Sequence, residues 1–215
     1  MNTIAYLKEV YGYDNPIILK DLRIGGLSKT ALRQQLSRAY KRGEINRYSK
    51  GVYFNDSKTI SPLTGMKVVK IGFEDYIESK YIKDMNSLVP DLTIKGYYSG
   101  QTFLNMIGIS QQVPARKEIT TNNTSSKKRE IYLNGRYAIL RKSRTEINFQ
   151  NWKILQFLDM FHFLSDDDFI DNKEILVNYI KFNKFTKNEL VKYISLYSIK
   201  TQKRIFETEI FYAFN

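Results

Sequence analysis

The stretch Ser28–Phe54, SKTALRQQLSRAYKRGEINRYSKGVYF, decides how the first part of this chain is built. Ser28 is a good N-cap, because a serine hydroxyl takes up a backbone N–H that the first helical turn leaves unpaired. Leu32, Leu36 and Ala39 then recur at the i, i+4, i+7 spacing of one buried helix stripe. Gly43 ends the helix just after Lys41 and Arg42, basic residues that suit its negative end. Beyond it, Ile45 and then Val52 with Phe54 read as two short strands around the turn Tyr48-Ser49-Lys50-Gly51. A helix followed at once by a small basic hairpin is the recognition half of a winged helix-turn-helix.

The opposite face of this helix carries Lys29, Thr30, Arg33, Gln34, Ser37 and Lys41. These side-chain types contact base edges and phosphates when a helix lies in a major groove. Arg47, Tyr48, Ser49 and Lys50 fall at the wing. Upstream, Thr3 to Tyr11 is an amphipathic first helix with Ile4, Leu7, Val10 and Tyr11. Asn15-Pro16 breaks it, since the residue before proline avoids helical backbone. Ile17 to Leu22 is expected as a second short helix, with Gly25-Gly26 as the turn into the third. Residues 1–57 are thus expected to form a winged DNA-binding domain. The plainer alternative is a surface helix kept in solution by its charges, but helix, basic tip and strands occur here together and in order.

The net charge of +12 over 215 residues sits in two blocks. Residues 1–60 hold 11 Lys+Arg against 5 Asp+Glu, and residues 115–145 hold 9 against 2. Residues 61–114 balance at 5 against 5, and 146–215 carry 9 against 10. Localised excess of this kind points to a polyanion, with affinity that falls as salt rises. There is no cysteine and one histidine, which removes disulfides, thiolate metal sites and most His-based catalysis. No apolar run approaches the roughly 18–20 residues of a membrane span and no signal-peptide pattern is present, so a cytoplasmic location is expected.

Residues 58–215 are expected to be mixed α+β, with strands in 58–145 and helices in 146–215. Asp56 to Thr64 reads as a linker, and a helix is expected from Gly72 to about Tyr81. Gly96 to Gly100 reads as a turn, and Gln101 to Ile107 as a helix. Lys117 to Thr121 alternates as a strand, and Asn122 to Arg129 is expected as an exposed basic loop. Glu130–Leu133 and Arg136–Leu140 flank Asn134-Gly135, a pair suited to a type I′ hairpin turn. Lys127, Lys128, Arg129, Arg136, Arg141, Lys142 and Arg144 make a second basic face, for DNA or for a protein partner. From Asn148 the period turns helical, through Trp152, Leu155, Phe157, Leu158 and Phe161. Three further helices follow near Lys173–Lys181, Lys187–Ser195 and Ser198–Phe211.

A search for chemistry finds little. Asp166-Asp167-Asp168 reads as a solvated loop and helix cap, because consecutive carboxylates point apart. His162 lies among Phe161, Phe163 and Leu164 and reads as structural. Glu118, Glu130 and Lys128 lie near strands, yet no spacing marks them as the metal-binding set of a nuclease. No catalytic residue, metal or cofactor is expected.

Two segments together carry a resemblance. The wing Arg47-Tyr48-Ser49-Lys50-Gly51-Val52-Tyr53, with Gly96-Tyr97-Tyr98-Ser99-Gly100-Gln101-Thr102-Phe103-Leu104-Asn105-Met106-Ile107-Gly108 and Gln112-Val113-Pro114, resembles the AbiE-type abortive-infection antitoxins, the AbiEi-like transcriptional regulators. The resemblance covers most of the chain up to about Leu140. It implies the antitoxin of a type IV toxin–antitoxin pair. Such a protein binds inverted repeats in its own promoter, represses the operon, and counteracts a nucleotidyltransferase-like toxin through its second domain without a stable complex. It also implies a monomer that binds the repeats cooperatively. By position, the DNA-reading helix maps onto Ser28–Arg42 and the wing onto Arg47–Lys50. Two other classes stay open: a metal-dependent nuclease targeted by the winged domain, and a regulator with a ligand-sensing domain.

Overall fold

In the computed structural model, which describes residues 2–57, 72–83, 93–133 and 135–215, the chain is mixed α+β and divides into two units, 1–92 and 93–215. The first unit opens with α1 (Thr3–Tyr11), whose first turn is capped by the Asn2 side chain accepting from the Ile4 N–H. Pro16 then fixes an extended backbone, and Ile17–Ile18 form β1, paired antiparallel with β3 (Val52–Phe54). The second helix expected over Ile17–Leu22 is therefore absent. Two β-branched residues pair with a strand, and only a single turn follows, in which the Asp21 and Leu22 N–H groups both donate to the Ile18 carbonyl.

The helix expected from Ser28 is α2 (Lys29–Lys41), with the Ser28 hydroxyl accepting from the Ala31 N–H at 3.1 Å. Its stripe of Leu32, Leu36 and Ala39 is buried against Leu7, Ile17 and Ile45. Gly43, at φ 72°, closes it: the Gly43 N–H donates to Tyr40 and the Glu44 N–H to Ala39, the two bonds of a Schellman cap. β2 (Asn46–Ser49) then pairs with β3, giving the sheet order β1-β3-β2. Asn55 is fully buried and donates to the Leu7 and Gly12 carbonyls, tying the end of β3 to the end of α1. Of the expected linker Asp56–Thr64, the part from residue 58 onward lies outside the described residues. The helix expected after Gly72 is α3 (Phe73–Ile77), prolonged by a π-helical turn over Glu78–Ile82.

The second unit holds a four-stranded sheet, β4 (Gly96–Tyr98), β5 (Arg116–Thr121), β6 (Lys128–Leu133) and β7 (Arg136–Lys142), in the order β4-β5-β7-β6. β5 and β7 run parallel and the other pairs antiparallel. Two expectations are corrected. Gly96–Tyr98 is a strand rather than a turn, because it pairs with Ile119–Thr121. The basic loop expected over Asn122–Arg129 gives its last two residues to β6, and Thr124 within it is buried. The hairpin forms where expected, but its turn type rests on Asn134, outside the described residues.

Helices α4 (Gly100–Met106), α5 (Trp152–Met160), α6 (Asp166–Asp171), α7 (Lys173–Asn183), α8 (Lys187–Ile194) and α9 (Ile199–Phe206) complete the unit. Phe157 on α5 is fully buried and packs its ring against Phe161, Tyr179, Phe185 and Phe214, the centre of the largest apolar core. The aspartates expected as a solvated loop and helix cap form the first turn of α6, where Ser165 caps the helix, its hydroxyl donates to the Asp168 carboxylate, and negative charge suits the N-terminus. The last expected helix is split. The Thr208 hydroxyl donates to the Arg204 carbonyl and accepts from the Ile210 N–H, ending α9 and starting a 3-10 turn at Glu209. Among the described residues, no helix is long and apolar enough to cross a membrane.

Candidate nucleic-acid interface

At 100° per residue, Thr30, Arg33, Gln34, Ser37 and Lys41 fall within an arc of about 100° on α2, opposite the buried stripe. Thr30, Arg33, Gln34 and Lys41 are exposed, and Ser37 is half-buried. None of the five side chains takes a hydrogen bond or ion pair among the described residues. Lys29 differs. Its ammonium donates to the carbonyls of Lys20 at 2.5 Å, Leu22 at 2.7 Å and Leu19 at 3.3 Å. Arg23 donates to Lys20 and Leu22 as well, so the two cations close the turn between β1 and α2. Partial burial, with Arg23 beside it, lowers the Lys29 pKa. Lys29 thus holds the helix in place rather than standing free on it.

A row the sequence reading passed over runs beside this arc. Gln34, Arg38 and Arg42 follow at i, i+4, i+8, and Arg38 and Arg42 border a shallow hollow of about 300 Å³ with Asn2, Thr3 and Gln35. The signal was the four-residue spacing, hidden because Arg38 adjoins the core residue Ala39.

At the hairpin, register breaks between Arg47 and Ser49, leaving Tyr48 as the extra residue of a bulge. Tyr48 turns onto Tyr76 of α3, with ring centroids 5.4 Å apart, and burial raises its pKa. The Ser49 hydroxyl is buried. Of the four expected wing contacts, Arg47 and Lys50 are therefore the two that face outward. Gly51, at φ 77°, closes the turn, and its carbonyl accepts from the Leu19 N–H, which fixes the hairpin to β1.

The second basic block is divided in the same way. Arg141 donates twice to Glu118, at 2.8 and 3.2 Å, and lies over the Phe163 ring. Arg144 lies over Tyr197, donates to the Leu196 carbonyl and pairs with Asp159 at 3.7 Å. Asp159 also accepts from the Thr120 hydroxyl, and burial raises its pKa against the pull of that bond and of Arg144. Both arginines belong to the seam between sheet and helices. Lys127, Lys128, Arg129, Arg136 and Lys142 stay exposed, and Lys142 follows Lys127 across the strand pair through a backbone bond. Like charges placed so close repel, which an anionic partner would relieve.

The carboxylates weighed for metal chemistry are separated. Glu118 and Glu130 both pair in register with Ile139 of the intervening strand, so their backbones stand two strand spacings, about 10 Å, apart. Each is occupied, Glu118 by Arg141 and Glu130 by Arg116 at 2.8 Å. Among the described residues no group of three or more His, Cys, Asp and Glu is placed to hold a metal ion. His162 is exposed beside the Phe163 ring. Compared with family models and with curated proteins, the chain matches none.

Proposed function

We propose that this protein binds double-stranded DNA sequence-selectively through residues 1–57, acting as a winged helix-turn-helix in which the first helix of the motif is reduced to the turn after β1, with α2 as the recognition helix and β2–β3 as the wing. The observation that carries this is that Arg33 and Gln34, exposed and without a side-chain partner among the described residues, stand at the two edges of the outward arc of α2, with Thr30, Ser37 and Lys41 between them. Arginine bonds guanine O6 and N7 in a bidentate fashion, and glutamine bonds adenine N6 and N7, so this pair has the donors and acceptors for direct readout. The sheet order β1-β3-β2 supports the same reading, because it sets Arg47 and Lys50 on a hairpin beside the helix.

The resemblance to the AbiEi-like regulators extends the proposal. On that basis the protein is an autorepressor and antitoxin: it binds inverted repeats upstream of its own gene as cooperating monomers and, through its second unit, counteracts a nucleotidyltransferase-like toxin without a stable complex.

The test is a titration against the DNA upstream of its own gene and against a random duplex, at two salt concentrations. Arg33→Ala should weaken binding to the upstream site by roughly 5- to 150-fold, the worth of one bidentate base contact, with far less effect on random DNA. Lys50→Ala should weaken both duplexes alike and lower the salt slope by about 1. Equal affinity of the wild type for the two duplexes would falsify the proposal.

A further inference from the structure

The register of the second sheet builds a surface that the DNA proposal does not use. Tyr132 of β6 is directly opposite Tyr137 of β7, and Tyr137 pairs in turn with Arg116 of β5. The two tyrosine rings lie 4.6 Å apart at 41°, and both are exposed, at 63% and 42%. The Arg116 guanidinium stands 5.5 Å from the Tyr137 ring centroid. By strand alternation Lys128 faces the same way as Tyr132, about 13 Å along β6. Glu130, between them, is the one acid in residues 119–145, and Arg116 neutralises it.

A cross-strand tyrosine pair supports a hairpin wherever it occurs. Here the pair also lies bare on the sheet, is continued by Arg116 at its edge, and shares its face with the exposed Lys128 further along β6, while Glu130 on the same face is paired by Arg116. We propose that this face of the β6–β7 hairpin is a stacking platform for single-stranded nucleic acid.

The chemistry fits that ligand and no close competitor. Every base has a π-face, so adjacent tyrosine rings hold bases without regard to sequence while the cations follow the phosphates. A duplex keeps its base faces stacked inside, out of reach of rings lying on a sheet. An acidic peptide would use the cations and leave the rings idle.

The experiment uses the full chain and fluorescently labelled oligo(dT) and oligo(U), with a random duplex of equal length and polyglutamate as competitors. Single strands should bind at least about ten-fold more tightly than the random duplex, and polyglutamate should compete poorly. The tighter of the two oligomers identifies the source as DNA or RNA. Tyr132→Thr with Tyr137→Thr keeps strand propensity and removes the rings, and should lose about ten-fold or more. Tyr132→Phe with Tyr137→Phe should bind as the wild type does. Because the threonine variant can lose the hairpin, ultraviolet crosslinking of oligo(U) to the wild type gives an independent result, and the crosslinked peptide should contain Tyr132 or Tyr137. Crosslinks confined to residues 1–57, an unaffected threonine variant, or equal affinity for single strand and random duplex would overturn the proposal. None of these outcomes depends on Arg33 or on the upstream site.

Discussion

The two basic hairpins of this molecule start from the same local device and end with opposite surfaces. β2–β3 and β6–β7 each close through a glycine in the left-handed region, Gly51 at φ 77° and Gly135 at φ 78°, and each carries tyrosine and arginine on its strands. In the first, a bulge turns Tyr48 onto Tyr76 and leaves Arg47 and Lys50 outward. In the second, unbroken register keeps Tyr132 and Tyr137 bare, while Arg141 turns in to Glu118. Alternation decides which residues share a face. What packs against that face decides whether a basic or aromatic residue serves the fold or the surface.

The largest test of this distinction is Arg141→Ala against its neighbour Lys142→Ala. The Glu118 carboxylate is pressed against Gly100, where an added Cβ would lie 2.5 Å away, and its second oxygen takes a long 3.5 Å bond from the Gln101 N–H, so it has little room to reach another cation. Removing one member of a fully buried ion pair costs about 3–5 kcal/mol. The Arg141 side chain is 26% exposed, so solvent screening should reduce the loss to about 2 kcal/mol. Lys142→Ala should stay within about 0.5 kcal/mol of the wild type. Urea unfolding measures both, and equal losses would mean that the second block is not divided at all.

A smaller contrast separates the tyrosines. Tyr48→Ala removes a packed ring and should cost about 1–2 kcal/mol. Tyr132→Ala removes one exposed cross-strand contact and should cost less than about 1 kcal/mol. If Tyr132 proves the more costly, the bare pair is a structural staple and the two hairpins differ less than their surfaces imply.

Much of this was legible in the residues because the forces are local. Ser28, the Leu32-Leu36-Ala39 stripe and Gly43 set the bounds of α2 through a cap, a period and a left-handed φ, all within one segment. What was hidden depends on distant partners. Ile17-Ile18 has a helical stripe with Leu22, yet becomes a strand because β3 offers a pairing edge. Lys29 looks like part of a DNA-reading face until the carbonyls of residues 19, 20 and 22 turn toward it. Nothing adjacent to Arg141 or Arg144 in sequence announces Glu118 or Asp159. That Tyr132 and Tyr137 share a face likewise follows from the register of β6 on β7, and their exposure from that face being left uncovered, neither of which adjacent residues announce.

The smallest expected effect concerns two carboxylates that hold inward arginines, Asp159 beside Arg144 and Asp166 beside Arg204. Burial raises the pKa of Asp159 above its ordinary 3.8, whereas bonds from Arg204 and Lys200 lower that of Asp166 below the same value. A carboxyl protonated more readily in the folded state contributes stability below its unfolded pKa, lost as pH rises through the folded one. A carboxyl protonated less readily contributes stability above its unfolded pKa, lost as pH falls through the folded one. Asp159→Asn should therefore fall further behind the wild type on acidification from about pH 7 to about pH 3, while the deficit of Asp166→Asn should close. Melting temperatures across that range give the two differences directly. Trends of the same sign would mean that Arg144, not burial, governs Asp159. Arg144 would then hold a full counter-charge at the seam, and the exposed Lys127, Lys128, Arg129 and Lys142 would be the members of the second basic face that can attract an anion.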